Sequence, residues 1–284
     1  MMTDSLSPIW PSRLHHIRIN SEQPGRLVDF YREGLGLSAD KIGDGVWALT
    51  GPDRRLLIGH GRPGRIGFAA FTLSSSDQLT ALAARLEAAG IPPEPFPDPL
   101  LDGDAFMVRD PDGNALVFGL PAVSEPEAAG VAPPGRLQHF VVASTRLAEM
   151  IAFYAEGLGL LVSDTVHDSD GAVTASFLRT DPEHHSFAVF RAPEARLDHH
   201  AYEVNCWDDI RDWADHFADL RVPLWWGPGR HGVGNNLFFM VEDPDGNKVE
   251  LSAELEICPP DKPPGDWPHD ERSLNLWGSA WMRS

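Results

Sequence analysis

Cysteine, positive charge and long apolar runs are all scarce in this chain of 284 residues. It has two cysteines, too few for a disulfide framework, which favours a reducing compartment. Lysine and arginine number 23 against 42 aspartates and glutamates, so neither nucleic acid nor an anionic membrane is an expected partner. No segment is apolar enough for a membrane span or an export signal. We therefore expect a cytoplasmic protein.

The sequence contains two copies of one pattern. LVDFYREGLGL at 27–37 matches MIAFYAEGLGL at 150–160, and FMVRDPDGN at 106–114 matches FMVEDPDGN at 239–247. Each copy has the pattern of an apolar strand, a helix, further strands, a second helix and a hairpin at DPDGN. The repeat predicts an α+β fold of two tandem domains, each containing a mixed sheet.

Composition divides the chain further. We expect an N-terminal domain at 1–120, a linker rich in proline and alanine at 121–135, a C-terminal domain at 136–256 and a tail at 257–284. The tail holds three tryptophans, too many aromatic side chains for a free segment. We expect it to pack on the body of the protein or on a neighbouring subunit.

The last strand of each copy differs at one position. Val117 in the first copy corresponds to Glu250 in the second, four residues after the glycine of DPDGN. Side chains alternate between the two faces of a strand. Val249 and Leu251 should therefore share an apolar face that packs on a helix, whereas Glu250 points to the opposite face.

Histidine is also unevenly divided between the copies. Matching LDHHAYEV at 197–204 with IGFAAFTL at 66–73 aligns His200 with Ala69, while His139 aligns with His16. Two imidazoles and a carboxylate at equivalent inward positions are typical of a divalent metal site. They suit non-heme Fe(II), and Mn and Zn are also compatible. The predicted ligands are His139, His200 and Glu250, in the second copy alone.

Further histidines surround this predicted site. His185 precedes the His200 strand by one strand, and His231 lies in a glycine-rich loop before the last hairpin. Imidazoles with a pKa near neutrality suit general acid–base work or the stabilisation of an oxygen anion. We interpret His184 and His199 as ordinary surface residues, because each is out of phase with its neighbour.

Aromatic residues of the second copy are candidates to line a substrate pocket. The candidates are Trp225, Trp226, Phe187 and Phe239. Core packing is the alternative for each of them. Trp225 and Trp226 are the best pair for an aromatic substrate, because they directly precede the His231 loop.

The motifs resemble those of the type I extradiol ring-cleaving dioxygenases of the vicinal oxygen chelate superfamily. The resemblance covers about residues 13–282 and depends on the two-domain layout, Gly-x-His at 229–231, DP-x-G at 243–246 and Glu250. It implies that each domain is a pair of βαβββ modules forming a curved mixed sheet around a central cavity. It also implies Fe(II), or Mn(II), bound in the C-terminal domain by His139, His200 and Glu250.

The same resemblance implies an activity. The expected reaction cleaves a catechol-type ring beside its vicinal diol with O₂, in the degradation of aromatic compounds, and the expected assembly is a homo-oligomer. His185 resembles the histidine that lies beside the metal ligands, and His231 resembles the one that contacts a substrate hydroxyl. Met240 departs from the pattern, because a tyrosine is usual nine residues after the loop histidine. We expect Tyr202, two residues after His200, to supply the missing hydroxyl.

Two other classes of function stay open at this stage. One is a glyoxalase-like lyase or an epimerase on the same scaffold, although such enzymes usually assemble their metal ligands from both halves. The other is a non-catalytic binding protein, which needs no ligand triad. Metal content separates the binding protein from both enzymes, and O₂ consumption separates the dioxygenase from the lyase.

Overall fold

A computed structural model describes residues 6–122 and 132–283. The predicted linker at 121–135 falls mostly on residues 123–131, which lie outside the described residues. Within the described part of the chain, no helix combines the length and the apolar composition that crossing a membrane requires.

The first repeat forms a mixed sheet of eight strands in the order β2-β3-β4-β1-β5-β8-β7-β6. Its elements are β1 (Ser12–Ser21), α1 (Pro24–Gly34), β2 (Ser38–Gly43), β3 (Val46–Gly51), β4 (Arg54–His60), β5 (Ile66–Leu73), α2 (Ser76–Ala88), β6 (Glu94–Pro95), β7 (Leu101–Arg109) and β8 (Ala115–Pro121).

The second repeat forms a sheet of nine strands in the order β14-β15-β16-β13-β9-β12-β11-β10-β17. Its elements are β9 (Arg136–Ser144), α3 (Leu147–Ala152), a π-helical segment (Phe153–Leu158), β10 (Leu161–His167), β11 (Val173–Arg179), β12 (Phe187–Arg191), β13 (Arg196–Val204), α4 (Trp207–Asp219), β14 (Leu224–Arg230), β15 (Leu237–Glu242), β16 (Lys248–Ala253), β17 (Gly265–Pro268) and α5 (Glu271–Leu274).

Each sheet is built from two β-α-β-β-β modules. The first and last strands of every module pair in parallel, as β1 does with β4 and β13 with β16. The two modules of a sheet then meet through their first strands, which pair antiparallel. The α+β fold of two tandem domains with paired modules is therefore confirmed. The domain boundaries at 120, 135 and 256 stay our proposal.

The two faces of each sheet carry different cores. The helix-covered faces of both repeats share one large apolar cluster, which includes Leu27, Tyr31, Trp213 and Phe217. The opposite face of the first sheet is filled by its own small cluster, which includes Phe68 and Val117. The opposite face of the second sheet instead surrounds a small, partly open cavity.

The DPDGN turns are held by their first aspartate. In the second copy, Asp243 Oδ1 accepts hydrogen bonds from the backbone amides of Asp245 and Asn247, each at 2.9 Å. Asp243 Oδ2 accepts from the Asn247 side chain at 2.8 Å. Gly246 takes a positive φ of 85°, a conformation that favours glycine. The carboxylate thus fixes the hairpin that sets the register of β15 against β16.

Each turn also accepts a hydrogen bond from the other repeat. Tyr31 of α1 donates its hydroxyl hydrogen to Asp243 Oδ2 at 2.8 Å. Tyr154 of the π-helical segment donates to Asp110 Oδ2, in the first turn, at 3.2 Å. Both tyrosines are fully buried. Two reciprocal tyrosine–aspartate contacts therefore join the repeats through their hairpins.

The C-terminal tail packs on the body of the chain, one of the two arrangements expected for it. Strand β17 pairs in parallel with β10 and completes the second sheet. Trp267 of β17 donates its indole N–H to Asp164 of β10 at 2.8 Å. Arg283 reaches the cavity of the second sheet.

Tyr31→Phe should destabilise the protein more than Tyr154→Phe. Tyr31 binds both Asp243 and His200, whereas Tyr154 binds Asp110 alone. Leaving buried polar groups without a partner costs about 1–3 kcal/mol, and a single hydrogen bond contributes about 1 kcal/mol. Urea unfolding monitored by circular dichroism measures the difference. Equal losses in the two variants would contradict the dual role of Tyr31.

Candidate metal centre

Three side chains converge on the cavity from adjacent strands of the second sheet. They are His139 of β9, His199 of β13 and Glu250 of β16, and one ligand atom from each lies within 4.8 Å of the others. The two Nε2 atoms are 3.4 Å apart. The Nε2 atom of His199 lies 3.3 Å from Glu250 Oε2. All three residues are buried.

His199 takes the place predicted for His200, which corrects the sequence-based ligand set. In the parallel pair β13–β16, His200 lies opposite Val249 and Ala201 lies opposite Glu250. Paired residues share a face, so His200 lies on the helix-covered side with Val249. The residues adjacent to His200 face the cavity, and His199 is therefore the one that meets Glu250.

A signal for the correct face was present in the sequence. Tyr202 and Val204 alternate with Ala201 and Glu203, and the matching residues of the first copy are the bulky apolar Phe71 and Leu73. Large apolar residues at every second position indicate the face that packs on helices. That pattern assigns His200 to the packed face together with Tyr202.

The packed environment of His200 explains why its ring does not act as a metal ligand. Tyr31 donates its one hydroxyl hydrogen to Asp243, so its oxygen accepts from His200 Nε2–H at 3.0 Å. Burial lowers the pKa of His200 to about 3. A neutral His200 with its hydrogen on Nε2 satisfies this geometry.

The two histidines of the candidate metal cluster, His139 and His199, are each oriented by the residue that precedes them in sequence. The Nδ1 atom of His199 bonds to Asp198 Oδ1 at 2.7 Å, and the Nδ1 atom of His139 bonds to Gln138 Oε1. Because both partners accept, each Nδ1 carries a ring hydrogen. The Nε2 lone pairs are then left pointing into the cluster. Burial lowers the pKa of His139 to about 3, which keeps that ring neutral.

Glu250 supplies the negative charge of the cluster. Burial acts to raise the pKa of its carboxyl group, but the hydrogen bond and charge of His231, with the nearby imidazoles, lower it to about 2. Asn236 Nδ2 donates to Oε1 at 3.3 Å, while Oε2 is buried without a hydrogen-bond partner. An ionised oxygen directed at two imidazole lone pairs fits a divalent cation.

The donor set therefore fits a non-heme metal ion. Two imidazoles and one carboxylate occupy a single face, which is the arrangement of the two-histidine, one-carboxylate sites. Each ring nitrogen remote from the cluster has an acceptor, as metal-bound histidines usually do. Within residues 6–122 and 132–283, this is the group of histidine and acidic side chains placed closely enough to hold a metal ion.

The other two predicted histidines lie in the same cavity. The His185 ring is 4.4 Å from that of His139 between centroids. His231 Nε2 is 3.6 Å from Glu250 Oε1, and its ring stacks on Phe238 with centroids 3.8 Å apart. The Nδ1 atom of His231 donates to the carbonyl of Leu274. The structure thus places both imidazoles beside the candidate ligands.

The interpretation of His184 and His199 as surface residues is wrong. His184 is fully buried and bonds to Asp164 and to His185, both at 3.0 Å. His199 is 5% exposed and belongs to the candidate metal cluster. The doubled letters HH at 184 and 199 therefore mark two buried pairs, each with one ring in the cavity.

The predicted aromatic pocket needs correction. Phe187 stacks on Tyr154 and Phe239 packs on Phe217, both on the helix-covered face. Trp225 lies at the surface, 38% exposed.

Trp226 lies behind the cavity, with its ring 5.6 Å from that of His231. The apolar residues that line the cavity are Val141, Phe177, Phe190, Val233, Met240 and Leu274.

Tyr202 does not reach the cavity, whereas Met240 does. Tyr202 is fully buried in the helix-covered core, and its ring lies 5.5 Å from that of His200. It shares the face of His200, as expected, but that is not the face of the candidate ligands. Met240 lies opposite Glu250 in the β15–β16 hairpin and lines the cavity. No tyrosine is among the described residues that line it.

Arg283 is a cavity residue that sequence reasoning missed. It donates to Asp198 from Nη2, which lies 2.9 Å from Oδ1, and from Nε, which lies 3.2 Å from Oδ2 and 3.3 Å from Oδ1. Its guanidinium also lies 4.0 Å from the ring centroid of Trp281 and 4.2 Å from that of Phe190. The tail thereby holds the carboxylate that orients His199. No periodicity or motif indicates this contact.

The corresponding face of the first sheet is closed by side chains. His16 matches His139, but its Nε2 bonds to Asp98 Oδ2 at 3.0 Å. Phe68 occupies the place of His199 and packs against the His16 ring at 5.4 Å. Val117 occupies the place of Glu250. The sequence comparison had aligned His200 with Ala69. Because His199 is the candidate ligand, its counterpart in the first repeat is the apolar residue Phe68.

Comparison with known proteins places the chain in a family. The model of the Glyoxalase/Bleomycin resistance protein/Dioxygenase superfamily matches residues 13–118 and 136–251, one match to each repeat. Together these ranges include well over half of the chain. The chain therefore belongs to the Glyoxalase/Bleomycin resistance protein/Dioxygenase superfamily.

Several curated proteins are similar to it. Metapyrocatechase 2 of Cupriavidus necator is 28% identical over 62% of the chain, which covers 61% of that protein. Metapyrocatechase of Pseudomonas sp. (strain CF600) is 28% identical, with 89% of each chain covered. Manganese-dependent 2,3-dihydroxybiphenyl 1,2-dioxygenase of Geobacillus genomosp. 3 is 25% identical over 96% of this chain and 95% of its own.

A solved structure shares the fold. Homoprotocatechuate 2,3-dioxygenase from Arthrobacter globiformis superposes with a TM-score of 0.83 at 24% identity, covering 99% of this chain and 92% of that one. The two-domain architecture is therefore common to both proteins.

His199→Gln should lower the affinity for Fe(II) or Mn(II) about tenfold or more, whereas His200→Gln should leave it nearly unchanged. The carboxamide is a weaker ligand than imidazole at position 199. At position 200 the Gln amide nitrogen can still donate to Tyr31. Metal content after dialysis against a graded chelator measures both. Loss of metal from His200→Gln alone would contradict the assignment.

His200 should also make stability depend on pH. Its pKa is about 3 in the folded protein and about 6.5 when unfolded. The unfolded state therefore binds more protons below pH 6.5, and stability falls as the pH falls from 6.5 towards 3.

His200→Gln removes this contribution, so its stability curve should be flatter by up to about 1.4 kcal/mol per pH unit. Urea unfolding of the metal-free proteins between pH 4.5 and 7 measures it. Parallel curves would contradict a neutral, buried His200.

Proposed function

We propose that this protein is an extradiol dioxygenase that cleaves a catechol-type ring beside its vicinal diol with O₂. The observation that carries the proposal is the convergence of His139, His199 and Glu250 in a cavity of the second sheet. The relatives named for catechol and dihydroxybiphenyl cleavage support the same reaction class. The substrate is then a small aromatic diol, consumed in the degradation of aromatic compounds.

The proposed cofactor is Fe(II), with Mn(II) as the alternative. Either ion fits two imidazoles and a carboxylate, and one relative is named as manganese-dependent. A bound ion would hold the diol oxygens and O₂ side by side and pass electrons between them. The proposed ligand atoms are Nε2 of His139, Nε2 of His199 and the carboxylate of Glu250. Three ligands on one side leave room for both reactants.

His185 and His231 supply the proton handling in this proposal. Both line the cavity, so a hydroxyl of the bound diol lies within reach of an imidazole. Burial lowers the pKa of His185 well below its usual value, which leaves that ring neutral. A neutral imidazole has one nitrogen lone pair that can accept a hydrogen bond or a proton. His231 is held by Leu274 and Phe238 beside Glu250.

Met240 lines the cavity where the extradiol dioxygenases that the sequence resembles usually have a tyrosine. A thioether cannot donate a hydrogen bond, and Tyr202 lies on the other face of the sheet. Deprotonation of the diol is then left to imidazole. The apolar lining, with Phe177 and Phe190, would exclude water and contact the aromatic ring.

Several wider properties also belong to this proposal. Cys206 and Cys258 are both free thiols, which supports a reducing, cytoplasmic location. The excess of acidic residues argues against nucleic acid as a partner. A homo-oligomer stays a prediction, as does the division at residues 120, 135 and 256.

The two competing functions have less support. A lyase or epimerase with ligands from both halves would require polar residues at Phe68 and Val117, which are apolar. A binding protein would have no use for three buried ligands of which both histidines have the remote ring nitrogen held in place.

Oxygen uptake tests the proposal. Protein loaded anaerobically with Fe(II) should consume one O₂ per catechol and form a yellow ring-fission product. Glu250→Val, which restores the residue of the first repeat, should lose both bound metal and uptake, because the charge that balances the cation is gone. Wild-type protein that holds one iron but consumes no O₂ with any catechol would reject the proposal and favour the lyase.

A further inference from the structure

A chain of three buried side chains leads away from the cavity behind His185. The Nδ1 atom of His185 lies 3.0 Å from Nδ1 of His184. The Nε2 atom of His184 lies 3.0 Å from Asp164 Oδ2. All three residues are 4% exposed or less. None of them is a candidate metal ligand, and His184 and Asp164 do not line the cavity.

Asp164 is the outermost of these three side chains, and it is an ionised hydrogen-bond acceptor. Its Oδ1 accepts from the backbone amide of Gly265 at 3.0 Å, and its Oδ2 also accepts from Trp267 Nε1 at 2.8 Å. Burial acts to raise the pKa of this carboxyl group, but the hydrogen bonds from His184 and Trp267 hold it below the usual value. A carboxylate surrounded by donors cannot itself donate to His184.

The hydrogen positions of both rings follow from this carboxylate. A neutral imidazole has one hydrogen, and Asp164 requires it on Nε2 of His184. Nδ1 of His184 is then an acceptor, so Nδ1 of His185 must donate to it. The neutral His185 ring is left with a free lone pair on Nε2.

That lone pair belongs to the cavity side of the ring. The Nδ1 edge is bound to His184, and no described residue makes a hydrogen bond to Nε2 of His185. The ring lines the cavity between His139 and Phe177. The backbone of His184 is also fixed, because its amide donates to Glu256 at 2.8 Å and its carbonyl accepts from Ser163.

We propose that His184 and Asp164 are positioning residues that hold His185 in the single neutral tautomer with hydrogen on Nδ1. The free Nε2 then faces the cavity as a base. This inference rests on the proposed function for its catalytic meaning: the hydroxyl proton of the diol moves to Nε2, while the Nδ1–H stays bonded to His184. The tautomer itself is a property of the protein without substrate.

The tail contributes to this arrangement. Gly265 and Trp267 belong to β17, and both of their hydrogen bonds end on Asp164. The indole N–H and the amide N–H offset the cost of burying the carboxylate. The tail of the chain therefore supports His185 through three successive hydrogen bonds.

A matched pair of variants separates the two ends of the His184 ring. In His184→Asn, the carboxamide oxygen occupies the place of Nδ1 and can still accept from His185. In His184→Gln, the carboxamide extends to the place of Nε2, so the bond to Asp164 is kept and the acceptor facing His185 is lost. The two variants differ by one methylene, and both bury a carboxamide.

Nitrogen-15 NMR of histidine-labelled, full-length, metal-free protein reports the tautomer directly, with the His185 signal identified by its loss in His185→Gln. We expect the Nδ1–H tautomer in the wild type and in His184→Asn, and a shift to Nε2–H in His184→Gln. With Fe(II) and catechol, kcat should fall about tenfold or more in His184→Gln and stay within about threefold in His184→Asn, with KM little changed, because general base catalysis contributes about 10²–10⁴-fold.

An Nε2–H tautomer in the wild type, or the same tautomer in both variants, would overturn the proposal. So would an equal loss of kcat in the two variants. Failure of the proposed function gives a different result: the tautomers would follow the expected pattern while no catechol is consumed by the wild-type protein.

Discussion

The buried carboxylate of Asp243 is the contact on which the candidate site depends. It closes the hairpin that carries Glu250, and it accepts the hydroxyl of Tyr31 from the other repeat. The same hydroxyl oxygen accepts from His200, the neighbour of His199. One tyrosine of the first repeat is therefore bonded to β13, which presents His199, and to the turn before β16, which presents Glu250. A buried charge with this many donors is costly to disturb, because each lost partner leaves another group unsatisfied.

Placing four histidines around one cavity requires that every ring has a defined partner. His139 is held by Gln138, His199 by Asp198, and His231 by the Leu274 carbonyl. His185 is held by His184 in the same way. Each ring donates its N–H outward to one of these acceptors. The lone pair on the other ring nitrogen is then left on the cavity side. The cluster is thus preorganised for a cation, since no ring has to turn when one binds.

The repeat, the module pattern and two of the three candidate ligands could be predicted from sequence, because each depends on local periodicity. Glu250 follows a DPDGN turn, and the alternation of side chains along β16 places it on the face of the sheet away from Val249. The choice between His199 and His200 failed because letter matching aligns positions without stating which face they occupy. Arg283 could not be predicted, because its contact with Asp198 joins residues 85 apart through tertiary packing alone. His184 was misjudged because a doubled histidine has no period of its own.

The two repeats hold opposite solutions to the same packing problem. Where the second places His199 and Glu250, the first places Phe68 and Val117 around His16. One repeat therefore has an apolar interior on this face, and the other has a cluster of buried polar and charged side chains. The first repeat is thus an internal reference within the same polypeptide: it shows the same sheet face with Phe68 and Val117 in place of His199 and Glu250.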